Sequence, residues 1–132
     1  MKKLLLPFLL VIVLAGAQQP SHRAVVHMSV PGYPRLAWAA QIEGDVHVHL
    51  LVGKDGKVNG MSSEVEGPGP LKEDTFTNIF TWVFTEAQQE EHLDVVYEYR
   101  LVPRRSAEPT SWVVLQSPQR ITIYADAPEP NN

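Results

Sequence analysis

The chain has 132 residues, no cysteine, and 11 basic against 15 acidic side chains. Without cysteine there are no disulfides and no thiolate metal centres, so the core alone must hold the fold. The acidic balance sets the surface against phosphate backbones and excludes nucleic-acid binding as the expected function.

Residues 1–17, MKKLLLPFLLVIVLAGA, place Lys2 and Lys3 before an apolar run from Leu4 to Leu14 and then Ala15-Gly16-Ala17. That order of positive, apolar and small residues is the pattern of a cleavable secretory signal peptide. The run is shorter than the roughly 20 apolar residues a membrane-spanning helix needs, so no stable span is expected. A retained leader would instead anchor the protein in the inner membrane. Cleavage after Ala17 leaves 115 residues, with nine basic and fifteen acidic side chains. That length suits one domain with its own core, exported to a bacterial periplasm.

Residues 18–32 hold Gln, Pro, Ser and His and read as a flexible lead-in. Tyr33 before Pro34 is pushed into extended backbone, and Pro34 opens a short helix, PRLAWAAQI, with Leu36, Ala39 and Ala40 on one side. Gly44 stops it. DVHVHLLV follows with a period of two, Val46, Val48, Leu50 and Val52 on one face and His47, His49 and Leu51 on the other. Asp55-Gly56 is a turn signal, KVNGMSSEV is the return strand, and the slip in alternation near Gly60 marks a bulge. After the break at Gly67-Pro68-Gly69-Pro70, Leu71 to Thr81 reads as an amphipathic helix with Leu71, Thr75, Phe76, Ile79 and Phe80 clustered. Trp82 and Phe84 are large anchors, and TEAQQEE is a polar connection. HLDVVYEYRLV alternates most cleanly: Leu93, Val95, Tyr97, Tyr99 and Leu101 share one face. WVVLQ and RITIYA add two short strands around Ser117-Pro118, and residues 126–132 read as a disordered tail. The expected fold class is α+β: an antiparallel sheet of three core strands plus extra C-terminal strands, packed on one main helix and a short N-terminal one.

Chemistry is weakly signalled. His47 and His49, two apart in a strand, point the same way, but a metal needs a third ligand that only long-range folding would bring, from His27, His92 or a carboxylate. The plainer reading is two polar residues on a solvated sheet face. No nucleophile elbow surrounds Ser62-Ser63, and Glu90-Glu91 and Arg104-Arg105 read as solvated pairs, with steering of an acidic partner as the lesser reading of the two arginines. No catalytic residue, metal site or cofactor is expected.

One pattern is more specific. Tyr33-Pro34, Ala37, Ile42-Glu43-Gly44-x-Val46-x-Val48, Asp55-Gly56-x-Val58, Leu71 and Trp82-x-Phe84 resemble, in order and spacing, the C-terminal domain of TonB, the energy transducer of Gram-negative periplasms. The likeness covers residues 33–102, with 103–125 as additional strands. It implies a protein-binding module that receives an extended segment of an outer-membrane receptor, or of another envelope protein, by strand addition to a sheet edge. On this resemblance the contact residues are Tyr33, Pro34, Leu93, Val95, Tyr97, Tyr99 and Leu101. The competing reading makes 93–101 a central strand already paired on both sides, in an envelope scaffold or a homodimer with a sealed edge. The chain also departs from the family. About fifteen residues separate the leader from Tyr33, a reach of roughly 50 Å when fully extended. Thr85 stands where a proline usually follows the W-x-F match, and residues 111–125 are in position to cover the receiving edge.

Overall fold

The computed structural model describes residues 23–129. Within them lie β1 (Val25–His27), α1 (Arg35–Ala39), β2 (Gly44–Val52), β3 (Val58–Met61), α2 (Gly69–Ile79), β4 (Val83–Phe84), β5 (Glu91–Val102), β6 (Ser111–Ser117) and β7 (Arg120–Asp126). The fold class is α+β. β1 and β4 form a small antiparallel sheet, and the main sheet runs β3-β2-β5-β7-β6.

The main sheet is mixed rather than wholly antiparallel, because β7 lies parallel to β5. The chain leaves β5, passes over to the outer edge to make β6, and turns at Pro118-Gln119. It then inserts β7 between β5 and β6 as the second arm of a hairpin. The register explains the insertion. Tyr97 meets Ile121, Tyr99 meets Ile123 and Leu101 meets Ala125, so the alternation of RITIYA continues the apolar face of β5.

That face carries Val46, Val48, Leu50 and Val52 from β2, Leu93, Val95, Tyr97 and Tyr99 from β5, and Ile121 and Ile123 from β7, all buried. Leu71, Thr75 and Ile79 of α2, Ala37 of α1, Trp82 and Phe84 cover it. Trp82 and Phe84 are thus structural, with rings 5.9 Å apart. The other face of the sheet has no helix on it among the described residues and is laced with charge. Arg100 Nη2 lies 2.6 Å from Asp45 Oδ1, and Glu98 Oε2 lies 3.1 Å from Arg120 Nη1.

Several sequence expectations shift. Residues 23–32 of the lead-in include β1 and the buried Arg23, because the N–H of Thr85 donates to Ala24 O and draws the segment onto β4. A proline at 85 could not make that bond. Leu36 is 81% exposed, and α1 buries Ala37 instead. The chain leaves α1 through Gln41 at φ +56°, with Ile42 N–H bonded to Ala37 O, ahead of Gly44. In α2 the stripe Leu71, Thr75, Ile79 faces the sheet, whereas Phe76 and Phe80 stay about half exposed and pack edge-on against each other. The return strand is only four residues long, with Asn59 as the extra residue of its bulge, beside Gly60. Gly56 sits at φ +85° with the carbonyl oxygen of Phe84 where a Cβ would go, so only glycine fits the turn. At the C-terminal end the tail begins later than expected: Asp126 closes β7 and is buried. The expected leader, residues 1–17, lies outside the described residues, as do 18–22 and 130–132.

A buried polar pair under α2 gives a first test. The hydroxyls of Thr75 and Tyr99 lie 2.6 Å apart, and Thr75 Oγ1 donates to Leu71 O at 2.7 Å. Burial pushes the Tyr99 phenol up to about 12. Thr75→Val keeps the shape but leaves the phenol without its partner, so we expect a loss of about 1–2 kcal/mol in urea unfolding. Tyr99→Phe in the same background should recover part of it.

Candidate partner-binding edge

The strand expected to receive a partner is not an edge. β5 pairs with β2 along Glu91–Tyr99 and with β7 along Val96–Val102. Only its first five residues extend past the start of β7, and there the side-chain amide of Gln119 donates to Asp94 O at 3.0 Å. The side chains of Leu93, Val95, Tyr97 and Tyr99 point into the core, and Leu101 is half-buried. The first four have almost no exposed surface. The physical reason is the hairpin that follows: β7 supplies the backbone partners and apolar cover that an incoming strand would have supplied.

Two edges remain. The β3 edge is four residues long, bulged, and flanked by Lys57 and Glu64, the features by which sheets discourage further pairing. The β6 edge is the opposite. It spans seven residues, SWVVLQS, and no charged residue occurs from Thr110 through Gln119. Val114 and Leu115 are each 44% exposed. The phase of its hydrogen bonds follows from one contact: the N–H of Asp126 donates to Thr110 O at 2.9 Å. Bonded pairs recur every second residue, so Trp112 and Val114 face β7. The backbone groups of Ser111, Val113 and Leu115 therefore point outward.

The start of β6 is firmly held. Asp126 Oδ2 accepts from the N–H of Thr110 at 2.9 Å and from its hydroxyl at 3.0 Å. These bonds hold the carboxyl below the usual carboxylate range, with Arg105 assisting. Trp112 stacks on Tyr124 at 5.4 Å, and the Arg105 guanidinium lies 4.5 Å over the indole. On the helix side, where Ser111 and Ala125 point, a cleft of about 350 Å³ opens between the sheet and α1. Tyr33, Trp38 and Pro109 wall it, with Arg35 in its lining. Trp38 is fixed by its indole N–H, which donates to Asp126 O at 2.6 Å, and Tyr33 by its hydroxyl, which donates to Ile42 O at 2.5 Å. Burial and then Glu43 push the Tyr33 phenol up to about 12.

Of the residues singled out in the sequence, Tyr33 thus lies beside an open edge, though it is the edge of β6 and not of β5. Pro34 is buried at the start of α1 and contributes backbone direction. The placement of Trp38 and Trp112 beside this edge was not foreseen, and the sequence suggested Arg105 only for steering an acidic partner. The one available signal was the uncharged run in WVVLQ, which is unusual for a strand left without a second neighbour.

The two histidines lie on the open face, as their position in the alternation implies. His49 Nδ1 is 2.5 Å from Asp94 Oδ1, and its Nε2 is 3.8 Å from Glu66 Oε2. The Asp94 hydrogen bond leads in raising the His49 pKa, opposed by modest desolvation. A raised native pKa adds stability below the unfolded value near 6.5 that is lost as pH rises through the native pKa. Asp94→Asn should therefore flatten the fall in urea midpoint between pH 5.5 and pH 8. A proton titration of the His49 ring checks the assignment.

No protein-family model matches the chain, and no curated protein matches it. No helix among the described residues is long and apolar enough to cross a membrane.

Proposed function

We propose that the protein is a non-enzymatic binding module of the cell envelope, similar in kind to the C-terminal domain of TonB. It receives an extended segment of another envelope protein, such as an outer-membrane receptor, as an added strand. The observation that supports this reading is the β6 edge, an uncharged strand whose outward-facing backbone groups on Ser111, Val113 and Leu115 have no strand beside them among the described residues. The receiving edge is thus moved two strands outward from β5.

Titrating isotope-labelled protein with synthetic segments from the periplasmic ends of outer-membrane receptors tests the proposal. Amide shifts confined to one edge of the main sheet are expected, centred on β6. No shift along any edge at millimolar peptide would remove strand addition as the activity. A scaffold or dimerisation role is the second reading, favoured by the sealing of β5 by β7. A dimer that persists on dilution, with no peptide response, would select it.

A further inference from the structure

The edge of β6 and the cleft beside it form one composite surface. In either strand orientation, residues directly opposite each other in a sheet place their side chains on the same face. A strand added to β6 would bond to Ser111, Val113 and Leu115, and its residues opposite these three would point to the helix side. The one opposite Ser111 meets the cleft of Tyr33, Trp38 and Pro109, which has room for a large side chain. The next two on that face meet Val113, packed against the core, and Leu115, which is still 44% exposed.

Charge selects among occupants. No acidic side chain lines the cleft. Arg35 is exposed and forms no ion pair among the described residues, whose salt bridges involve other cations. Arg105 on Trp112 leaves 65% of its side chain exposed, with its Nε 3.6 Å from Asp126 Oδ1. A second copy of this chain would fit poorly. Its β6 brings no carboxylate, and antiparallel self-pairing would set the Arg105 end of one copy toward the Arg120 end of the other.

We infer that this surface takes an extended, acidic segment of a partner protein, with a large apolar side chain opposite Ser111, apolar residues two and four positions along, and a carboxylate two positions before that side chain, on the face of the cleft that Arg35 lines. This rests on the strand-addition reading and adds the partner's chemistry to it.

The probe is a blocked heptapeptide, Glu-Thr-Phe-Thr-Val-Thr-Val, titrated into the labelled protein by amide shifts and by tryptophan fluorescence. Shifts at 111–115 and 33–38 are expected. Replacing Phe by Ala should weaken binding about tenfold, and replacing Glu by Lys about threefold or more. Arg35→Glu, at an exposed position without an ion pair among the described residues, should reverse the order of the Glu and Lys peptides. Val113→Pro removes an outward N–H while sparing the bonds to β7, and should abolish binding; if it fails to fold, Arg35→Glu decides. Shifts confined to β3 or to Glu91–Val95 would overturn this inference while leaving strand addition in place. Silence at every edge would overturn both. A concentration-dependent dimer with the same amides protected would assign the surface to a second copy and overturn the acidic partner.

Discussion

Replacing Trp82 with alanine is expected to cost about 4 kcal/mol, the loss seen when a large buried aromatic is removed without collapse of the site. Trp82 has no exposed surface and packs at 5.7 Å from the ring of Tyr97 as well as against Phe84. It is also a polar anchor. Its indole N–H donates to Asn78 Oδ1 at 3.0 Å, and the same oxygen accepts from Tyr97 OH at 2.6 Å. Asn78 in turn donates to Ser29 O at 2.8 Å, so one side chain links α2, β5 and the segment before α1. Alanine removes both the ring and a donor, and the cavity lies where α2 meets the sheet. Phenylalanine restores most of the volume but not the donor, and should cost about 2 kcal/mol. With a total stability of about 5–15 kcal/mol, the alanine variant would melt about 15–20 °C lower. Urea and thermal unfolding followed by near-ultraviolet circular dichroism measure both. A Trp82→Ala midpoint within 1 kcal/mol of the parent, as a rough bound for a surface site, would contradict its place in the core.

The parts of this fold that sequence exposes are those written in a local period. The alternation in DVHVHLLV and HLDVVYEYRLV identified β2 and β5 and the faces they bury, and Asp55-Gly56 located the turn between β2 and β3. What alternation cannot state is which strands become neighbours. RITIYA has the same pattern whether it seals β5 or sits at a margin, and only its register against Tyr97 and Tyr99 decides. For that reason β5 read as an edge strand although it lies inside the sheet. Helix faces failed differently. Ala37 is small enough to let α1 approach the core, so it is buried while the larger Leu36 is left outside, the reverse of a hydrophobicity ranking. The cleft was invisible because Tyr33, Trp38 and Pro109 come from segments brought together by an 88-residue tie from Trp38 to Asp126.

Arg23 carries the other large expected effect, and its context was equally hidden in a stretch with no period. Its side chain is 4% exposed. The guanidinium donates to Gly53 O and Gln89 O, each at 2.7 Å, to Thr85 O at 3.3 Å, and to Glu91 Oε2 at 3.0 Å. One planar group thereby joins the residue after β2, the residue after β4, the connection that follows it, and the start of β5. Methionine matches its length and apolar stem but leaves three carbonyls and the Glu91 carboxylate without that donor, and water reaches only part of the site. We expect Arg23→Met to cost about 3–4 kcal/mol. Lysine keeps the charge but offers no fork, and should recover less than half of that. Glu91→Gln, at a half-exposed position, should cost about 1 kcal/mol and so separate the ion pair from the carbonyl contacts. Urea midpoints at constant slope measure these differences, and hydrogen exchange at Thr85, whose N–H donates to Ala24 O, should quicken in step as β1 loosens from β4. Because Gly53, Thr85, Gln89 and Glu91 all lie outside the β6–β7 hairpin, the same variant should bind a strand-forming peptide at β6 as the parent does. A variant that kept its stability but lost the peptide would place Arg23 in the binding surface and reverse this division between the end that holds the fold together and the edge proposed to receive a partner.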